Sequence, residues 1–446
     1  MLDLIRIKKG LDLNLIGEAD GKVSQPTGIS GEYAIIPDDF YGLIPKLLKK
    51  EGETVLSGEA VLYDKNHPEV VVTSPVSGTI KKIIRGERRK ILAVVIEAGS
   101  EPQTAKTFKT DAGSAEQVKT TLLESGLWAL MRQRPYGIIP DKDVTPRDIF
   151  VTTFDSAPLT PDHCLMMDGN EANFEKGLSI LAKLTNGNVY IGVTPNHPYE
   201  SKSATSVIFE GPHPAGNVGT QIAHIAPVNK GETVWALDAE TVIRIGKLFT
   251  EGKVDYSCIV TIAGEKVKAP QNVKTTMGIS LKTLLGNNID GNNTRIIAGN
   301  VLTGVQEQLE GFLHFPYRQI TAIPEISNDC EFMGWASLSP KKYSASRTFF
   351  SWLMPKSKKY SFDAKINGGE RAIIMAGEYD KVFPMDIYAE YLIKAIIARD
   401  IDKMEQLGIY EVVPEDFALC EFIDTSKIEL QRIVKEGLDY LRKETN

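Results

Sequence analysis

Lysine, histidine and cysteine are the residues whose spacing in this chain could support chemistry. In "LYDKNHPEVVVTSPVSGTI", residues 62–80, the pair Asp64-Lys65 precedes Asn66-His67-Pro68 at the tip of what reads as a hairpin. A lysine protruding freely from such a tip can carry an amide-linked swinging arm, lipoate or biotin. Nothing after Lys65 completes a modification signal, so a structural hairpin without an arm is the preferred reading. His213 in "GPHPAG" and His224 in "IAHIAP" lack acidic or cysteine companions at ligand spacing, which makes them structural and leaves no metal site. Cys164, Cys258, Cys330 and Cys420 are far apart and form no CxxC. That excludes an iron–sulfur cluster or zinc ribbon and predicts reduced core thiols.

Composition sets the class. A chain of 446 residues corresponds to about three domains, and 42% hydrophobic residues allow each a core. The net charge of −7 excludes nucleic acid as a partner, because no basic excess exists to displace phosphate counterions. No apolar run approaches the roughly 18 residues of a membrane span, and "MLDLIRIKKGLDL" lacks the apolar core of a signal peptide. The expected location is the cytoplasm, or a membrane face where a partner holds the chain.

These functional groups need elements to position them. From residue 31 to 97, short strands are punctuated by Gly52, Gly58, Pro75, Gly78 and Gly86, the pattern of a compact β structure. Its "GETVLSGEAVL" followed by "SPVSG" resembles the biotinyl/lipoyl-type barrel-sandwich hybrid, although the spacing from Lys65 to Gly78 is longer than that family shows. Lys81, Lys82, Arg85, Arg88, Arg89 and Lys90 fall on one hairpin of this segment and read as a solvated face. "IFVTTF", then Phe174, Leu178, Leu181 and Leu184 at helical spacing, then "VYIGV" predict a buried βαβ unit. A Rossmann-like sheet is the expectation, yet neither GxGxxG nor GxxxxGK[ST] occurs, so no backbone cradle for a pyrophosphate is encoded. Residues 258–304 alternate as strands, turn at Ala269-Pro270, and present "SLKTLL" as a short helix capped by Ser280. From residue 385 the chain reads as helical, with one helix from Tyr388 to Gly408 burying Tyr388, Leu392, Ala395 and Ile396. The predicted organisation is a barrel-sandwich hybrid over 1–100, an α/β domain over 101–255, a third unit over 256–330, and an α/β to helical C-terminal region over 331–446.

Longer phrases carry a more specific likeness: "FEGPHPAGNVGTQIAHIAPV" at 209–228, "TTMGISLKTLL", "FMGWASLSPKKYSASRTFFSWL" at 332–353, and "NGGERAIIMAGEYDKVFPMDIYAEYLIKAIIARDIDKMEQLGIYEVVPEDFALCEFID" at 367–424. With "IKKGLDLNLIGEA" they resemble the A-component family of the sodium-translocating NADH:quinone oxidoreductase (Na+-NQR), across essentially the whole chain. The order of units is also similar to the flavin-binding subunit of complex I and to the Rnf complex C subunit. The likeness implies a soluble-ligand-binding β-grasp fold for the third unit. It implies a peripheral subunit on the cytoplasmic face of the bacterial inner membrane, with membrane-spanning sibling subunits as partners. Flavins and an iron–sulfur centre would reside on those siblings, with NADH as reductant, quinone as substrate and no redox centre in this chain. Where flavin-binding relatives carry glycine-rich and acidic turns, this chain has "SGLWALMRQRPYGIIP" and "DSAPLTPD". A quinone head needs ring faces and donors, and Trp128, Arg132, Arg134 and Tyr136 stand in the first of these stretches, the proposed quinone-binding set. Finally, "RTFFSWLMPKSKKY", 347–360, joins large apolar residues to a basic tail and suits a bilayer surface, a membrane subunit or the chain's own core.

Overall fold

The structure, a computed structural model, describes residues 2–24, 28–99, 104–161, 164–291, 293–326 and 339–445. Cys330 and the Cys164 side chain lie outside that description; Cys258 and Cys420 are free and buried.

The barrel-sandwich segment folds as two antiparallel sheets. One runs in the order Glu32–Ile35, Ile91–Ala98, Gly78–Arg85, Thr54–Val55, the other Pro45–Leu47, Ala60–Asp64, Val71–Thr73. Ile35, Val61, Val72, Val76, Ile80, Val94 and Ile96 fill the space between them. The glycine of "SPVSG" has a steric cause: a Cβ on Gly78 would lie 2.0 Å from the Glu97 carbonyl oxygen across the ladder.

The α/β unit centres on a six-stranded sheet in the order Asp3–Arg6, Thr205–Glu210, Val189–Val193, Ile149–Thr152, Val234–Asp238, Arg132–Arg134. All neighbours are parallel except the last pair. Side chains alternate between two covered faces, as the continuous apolar strands require. Ile149, Val151, Ile191 and Trp235 meet the helices Glu171–Leu181 and Ala239–Glu251 within one core, while Phe150 and Val234 pack with Ile222 of the helix Val218–Ile225.

The third sheet runs Val305–Glu307, Thr294–Ala298, Gln319–Pro324, Ser257–Ala263, Gln271–Thr276, Val23–Ser24. The helix Leu281–Leu285 starts at Ser280 as anticipated, but the serine side chain makes no capping bond. Asp3–Arg6 and Val23–Ser24 join the second and third sheets, so residues 1–100 contribute to more than the barrel-sandwich.

The C-terminal helices Ala389–Ala398, Ile401–Gln406, Ala418–Ile423 and Leu430–Thr445 share their own core. The single helix expected from 388 to 408 is two. Arg399 turns left-handed at φ 55°, and Asp400 caps the second helix by accepting from the Lys403 N–H. Leu392, Ala395 and Ile396 are buried, but Tyr388, expected on the same face, is 73% exposed.

Charged pairs tie the units together. His314, from the third unit, sits between Asp39 of the barrel-sandwich segment (Nδ1 to Oδ1, 2.5 Å) and Glu307 (Nε2 to Oε1, 3.0 Å). Burial alone would lower its pKa, but the two carboxylates outweigh it and raise it to about 9. A histidine pKa raised above its unfolded value stabilises fully below about pH 6.5 and loses that contribution as pH climbs through about 9. The thermal midpoint should therefore fall between those limits, by an amount reflecting on the order of 2–3 kcal/mol. His314→Gln should flatten the profile in that window, and an unchanged slope would rule out this origin.

Candidate functional site

Parallel sheets of this type leave ligand crevices outside the carboxyl ends of their strands. Here Ile149–Thr152 and Val234–Asp238 end side by side, with Thr152 opposite Asp238. Asp238 is reached by solvent although protein surrounds it. It also caps the helix Ala239–Glu251, accepting from the Thr241 N–H at 2.6 Å. Burial pushes its carboxyl pKa up, but Arg318, the Thr241 N–H and Arg244 more than reverse this, so it lies below the ordinary range and is charged at neutral pH.

Arg132 reaches the same junction from the edge strand. Its guanidinium donates to the carbonyls of Ala129 (3.0 Å), Met131 (3.1 Å) and Asp39 (2.8 Å). Desolvation lowers its pKa against the pull of Asp39, Asp238 and Glu415. Glu415, from the C-terminal region, keeps 43% of its side chain exposed. Its pKa is pushed up to about 6, first by burial and then by Asp416 and Asp155, with Arg134 and Arg132 opposing. Tyr317 rises to about 12 through burial and the charges of Asp39 and Glu415. Asp39, Arg132, Asp155, Asp238, Tyr317 and Glu415, drawn from every unit of the chain, thus share one electrostatic field. Such a junction can orient a polar ligand, and Glu415, raised above the ordinary carboxylate range, is its candidate proton-holding group.

The residues singled out from sequence fall in different places. Trp128 is fully buried, its ring edge-on to Trp235 at 5.1 Å and its Nε1 donating to the Pro140 carbonyl at 2.9 Å. Arg134, 2% exposed, is ion-paired to Glu415 and Asp416, both at 2.9 Å. Tyr136 is half-buried at φ 82° and packs on the C-terminal core. Arg132 and Arg134 both reach the junction, Arg134 through its ion pair with Glu415, and Arg132 is the less buried of the two. Lys65 stands exposed at the hairpin tip, its N–H donating to the Ile44 carbonyl at 2.8 Å. Asp64 fixes that tip by accepting from the Ile44 and Asn66 N–H groups. His213 is buried with Nδ1 3.0 Å from Ser156 Oγ, and His224 Nδ1 lies 2.8 Å from the Thr220 carbonyl. In the basic hairpin, Lys81 pairs with Glu32 and Glu97, and Lys90 with Asp38. Among the described residues, no group of three or more His, Cys, Asp or Glu is placed to hold a metal ion.

Asp39, Asp155, Asp238, Tyr317 and Glu415 were not singled out from sequence. Only Asp238 carried a local signal, a capping aspartate between the strand "VWALD" and the helix that follows.

Comparison with known proteins gives family matches over most of the chain. Residues 5–99 match the NqrA N-terminal barrel-sandwich hybrid domain, 113–254 the NqrA second alpha/beta domain, and 259–308 the NQRA C-terminal domain, a soluble-ligand-binding (SLBB) type. The A component of the Na(+)-translocating NADH-quinone reductase of Pasteurella multocida (strain Pm70) is 36% identical over 448 residues, covering 99% of this chain and all of that protein. The same component from Serratia proteamaculans (strain 568) is 36% identical, with 99% and 100% covered. That of Rhodopirellula baltica is 35% identical, with 98% of each covered. Among solved structures, an NAD+-reducing [NiFe]-hydrogenase aligns over 48% of this chain and 47% of its own at 13% identity and a TM-score of 0.34, too distant to carry an argument.

Proposed function

Because the chain belongs to the NqrA family, the A component of the Na(+)-translocating NADH-quinone reductase, we propose that it serves as a peripheral subunit on the cytoplasmic face of the bacterial inner membrane. Its siblings in that oxidoreductase complex include membrane-spanning subunits. Electrons from NADH pass through flavins and an iron–sulfur centre on those siblings to quinone, and the free energy drives sodium export. This chain holds no redox centre of its own and serves quinone binding or assembly. The observation that carries the reading is the end-to-end likeness, 36% identity over 99% of the chain. No helix among the described residues is long and apolar enough to cross a membrane, which accords with a peripheral place.

The finer architecture supports the same reading. Five parallel strands covered by helices on both faces favour a Rossmann-like unit that has lost its glycine cradle. The mixed sheet packed against Leu281–Leu285 favours a β-grasp. Lys65 serves the barrel-sandwich hairpin and carries no arm.

Within the expected quinone-binding set, the contacts fall to Arg132, which engages the solvent-reached junction, and to half-buried Tyr136. Trp128 and Arg134 hold the segment in place from behind. Removing a charged donor to a ligand carbonyl costs about 1.5–3 kcal/mol, so Arg132→Ala in the intact complex should weaken quinone binding by about tenfold or more, with Tyr136→Ala weakening it less. Unchanged binding in both variants would remove quinone from this segment. The assignment itself is tested by affinity purification of the tagged chain from gently solubilised native membranes. Recovery with membrane-spanning subunits and a flavin and iron–sulfur NADH dehydrogenase subunit is expected. Recovery alone, or with soluble acyl-transfer enzymes, would overturn it.

A further inference from the structure

Residues 340–360 form a loop that is anchored at its base and bare at its tip. The short 3-10 turn Phe350–Leu353 turns Ser351 inward, 5% exposed, and leaves Phe350, Trp352 and Leu353 at 43%, 51% and 59%. This exposure is not fraying. Tyr360, 8% exposed, donates from its N–H to the Asn14 carbonyl (2.8 Å) and accepts from the Ile16 N–H (3.1 Å). Asn14 Nδ2 ties down the Lys356 carbonyl at 2.7 Å. The Tyr343 ring packs on Tyr360 and Phe362 at 5.5 and 5.1 Å. Large apolar side chains held toward water by a built scaffold mark a contact surface.

Charge indicates what covers it. Between Ser339 and Phe362 stand Lys341, Lys342, Arg347, Lys356, Lys358 and Lys359, and no Asp or Glu, in a chain whose net charge is −7. Lys359 pairs with Glu18 and Arg347 lies over the Trp352 ring at 5.9 Å. The apolar tip is therefore flanked by cations on both sides in sequence. A protein groove reads an amphipathic segment at helical or strand spacing, and a single turn offers neither. Indole and phenyl rings with lysine and arginine around them instead match the headgroup layer of a bilayer, where rings sit at the polar boundary and cations meet lipid phosphates.

We propose that the 340–360 loop is a membrane-surface contact, inserting Phe350, Trp352 and Leu353 at the headgroup level of an anionic bilayer while the surrounding cations pair with lipid phosphates. The test is co-sedimentation of the full chain with vesicles of equal parts phosphatidylglycerol and phosphatidylcholine, against vesicles of phosphatidylcholine alone. Binding to the anionic vesicles should be at least tenfold tighter and should fall with added salt. The double variant Trp352→Ala, Leu353→Ala should lose about tenfold or more, and Lys356→Glu with Lys358→Glu should reduce binding to the neutral-vesicle level. Brominated acyl chains should quench wild-type emission but not that of Trp352→Phe, which reports the site directly. Circular dichroism of each variant identifies any that fail to fold, and the quenching comparison then decides alone. Equal binding to both vesicles, or quenching that survives Trp352→Phe, overturns the proposal. So does absence of vesicle binding combined with loss of sibling subunits from purified Trp352→Ala, Leu353→Ala complex, which would mark the loop as a protein interface.

Discussion

Arg134→Met should destabilise the C-terminal region by about 3–5 kcal/mol, the cost of leaving a buried charge without its partner. Arg134 Nη1 donates to Asp416 Oδ2 and Nη2 to Glu415 Oε1, both at 2.9 Å, and the Arg134 and Asp416 side chains are 3% and 2% exposed. Burial by itself lowers the guanidinium pKa, but Asp416 and Glu415 outweigh it and raise it. Asp416 also accepts from the Val413 N–H, while its Oδ1 has no partner. Without Arg134 that carboxylate would face protein with one backbone donor, and the turn Pro414–Phe417 would lose its tie to the edge strand Arg132–Arg134. Urea unfolding followed by C-terminal probes should reveal the loss. Arg134→Met with Asp416→Leu should recover much of it, since an apolar pair of similar volume removes the stranded charge. Weakened quinone binding without any stability change would instead make Arg134 a ligand contact.

How much of this was readable from sequence depends on how far apart the interacting residues lie. Local patterns transferred well. "IFVTTF" and "VYIGV" became adjacent parallel strands because continuous apolar runs need cover on both faces, and the Ala269-Pro270 turn separates the strands Ser257–Ala263 and Gln271–Thr276. The break at Arg399 was missed because Leu392, Ala395 and Ile396 kept helical spacing up to it, and the competing signal was one capping aspartate, Asp400. The candidate site was hardest to foresee. Asp39, Asp238, Tyr317 and Glu415 come from different units, and the tertiary fold alone brings them together. Trp128 and Arg134 looked like ligand groups because aromatic and arginine residues serve interfaces and cores alike. Both are buried with protein partners, Pro140 for Trp128 and Glu415 and Asp416 for Arg134.

The other large effect is expected at Gly246, where alanine should destabilise the α/β unit by about 2–4 kcal/mol although it is the better helix former. On an exposed helix the same change would gain up to about 1 kcal/mol. Here the sign reverses because two helices touch through their backbones. A Cβ on Gly246 of Ala239–Glu251 would lie 1.8 Å from the Asn173 carbonyl oxygen, and one on Gly177 of Glu171–Leu181 would lie 2.1 Å from the Val242 carbonyl oxygen. Backbone atoms inside regular helices cannot turn aside as a side-chain end can, so the axes must separate. Phe174, Leu178, Val242 and Ile245, all fully buried in one core, would then lose contact along the seam. Gly177→Ala should behave similarly, and the double variant should cost less than the sum, because helices already parted accommodate the second methyl more cheaply. Gly21, with nothing within 4 Å of a built Cβ, supplies the control, and Gly21→Ala should stay within about 0.5 kcal/mol. Denaturant midpoints measured side by side decide the matter: a Gly246→Ala midpoint at or above that of Gly21→Ala would mean that the two helices are not held at backbone contact.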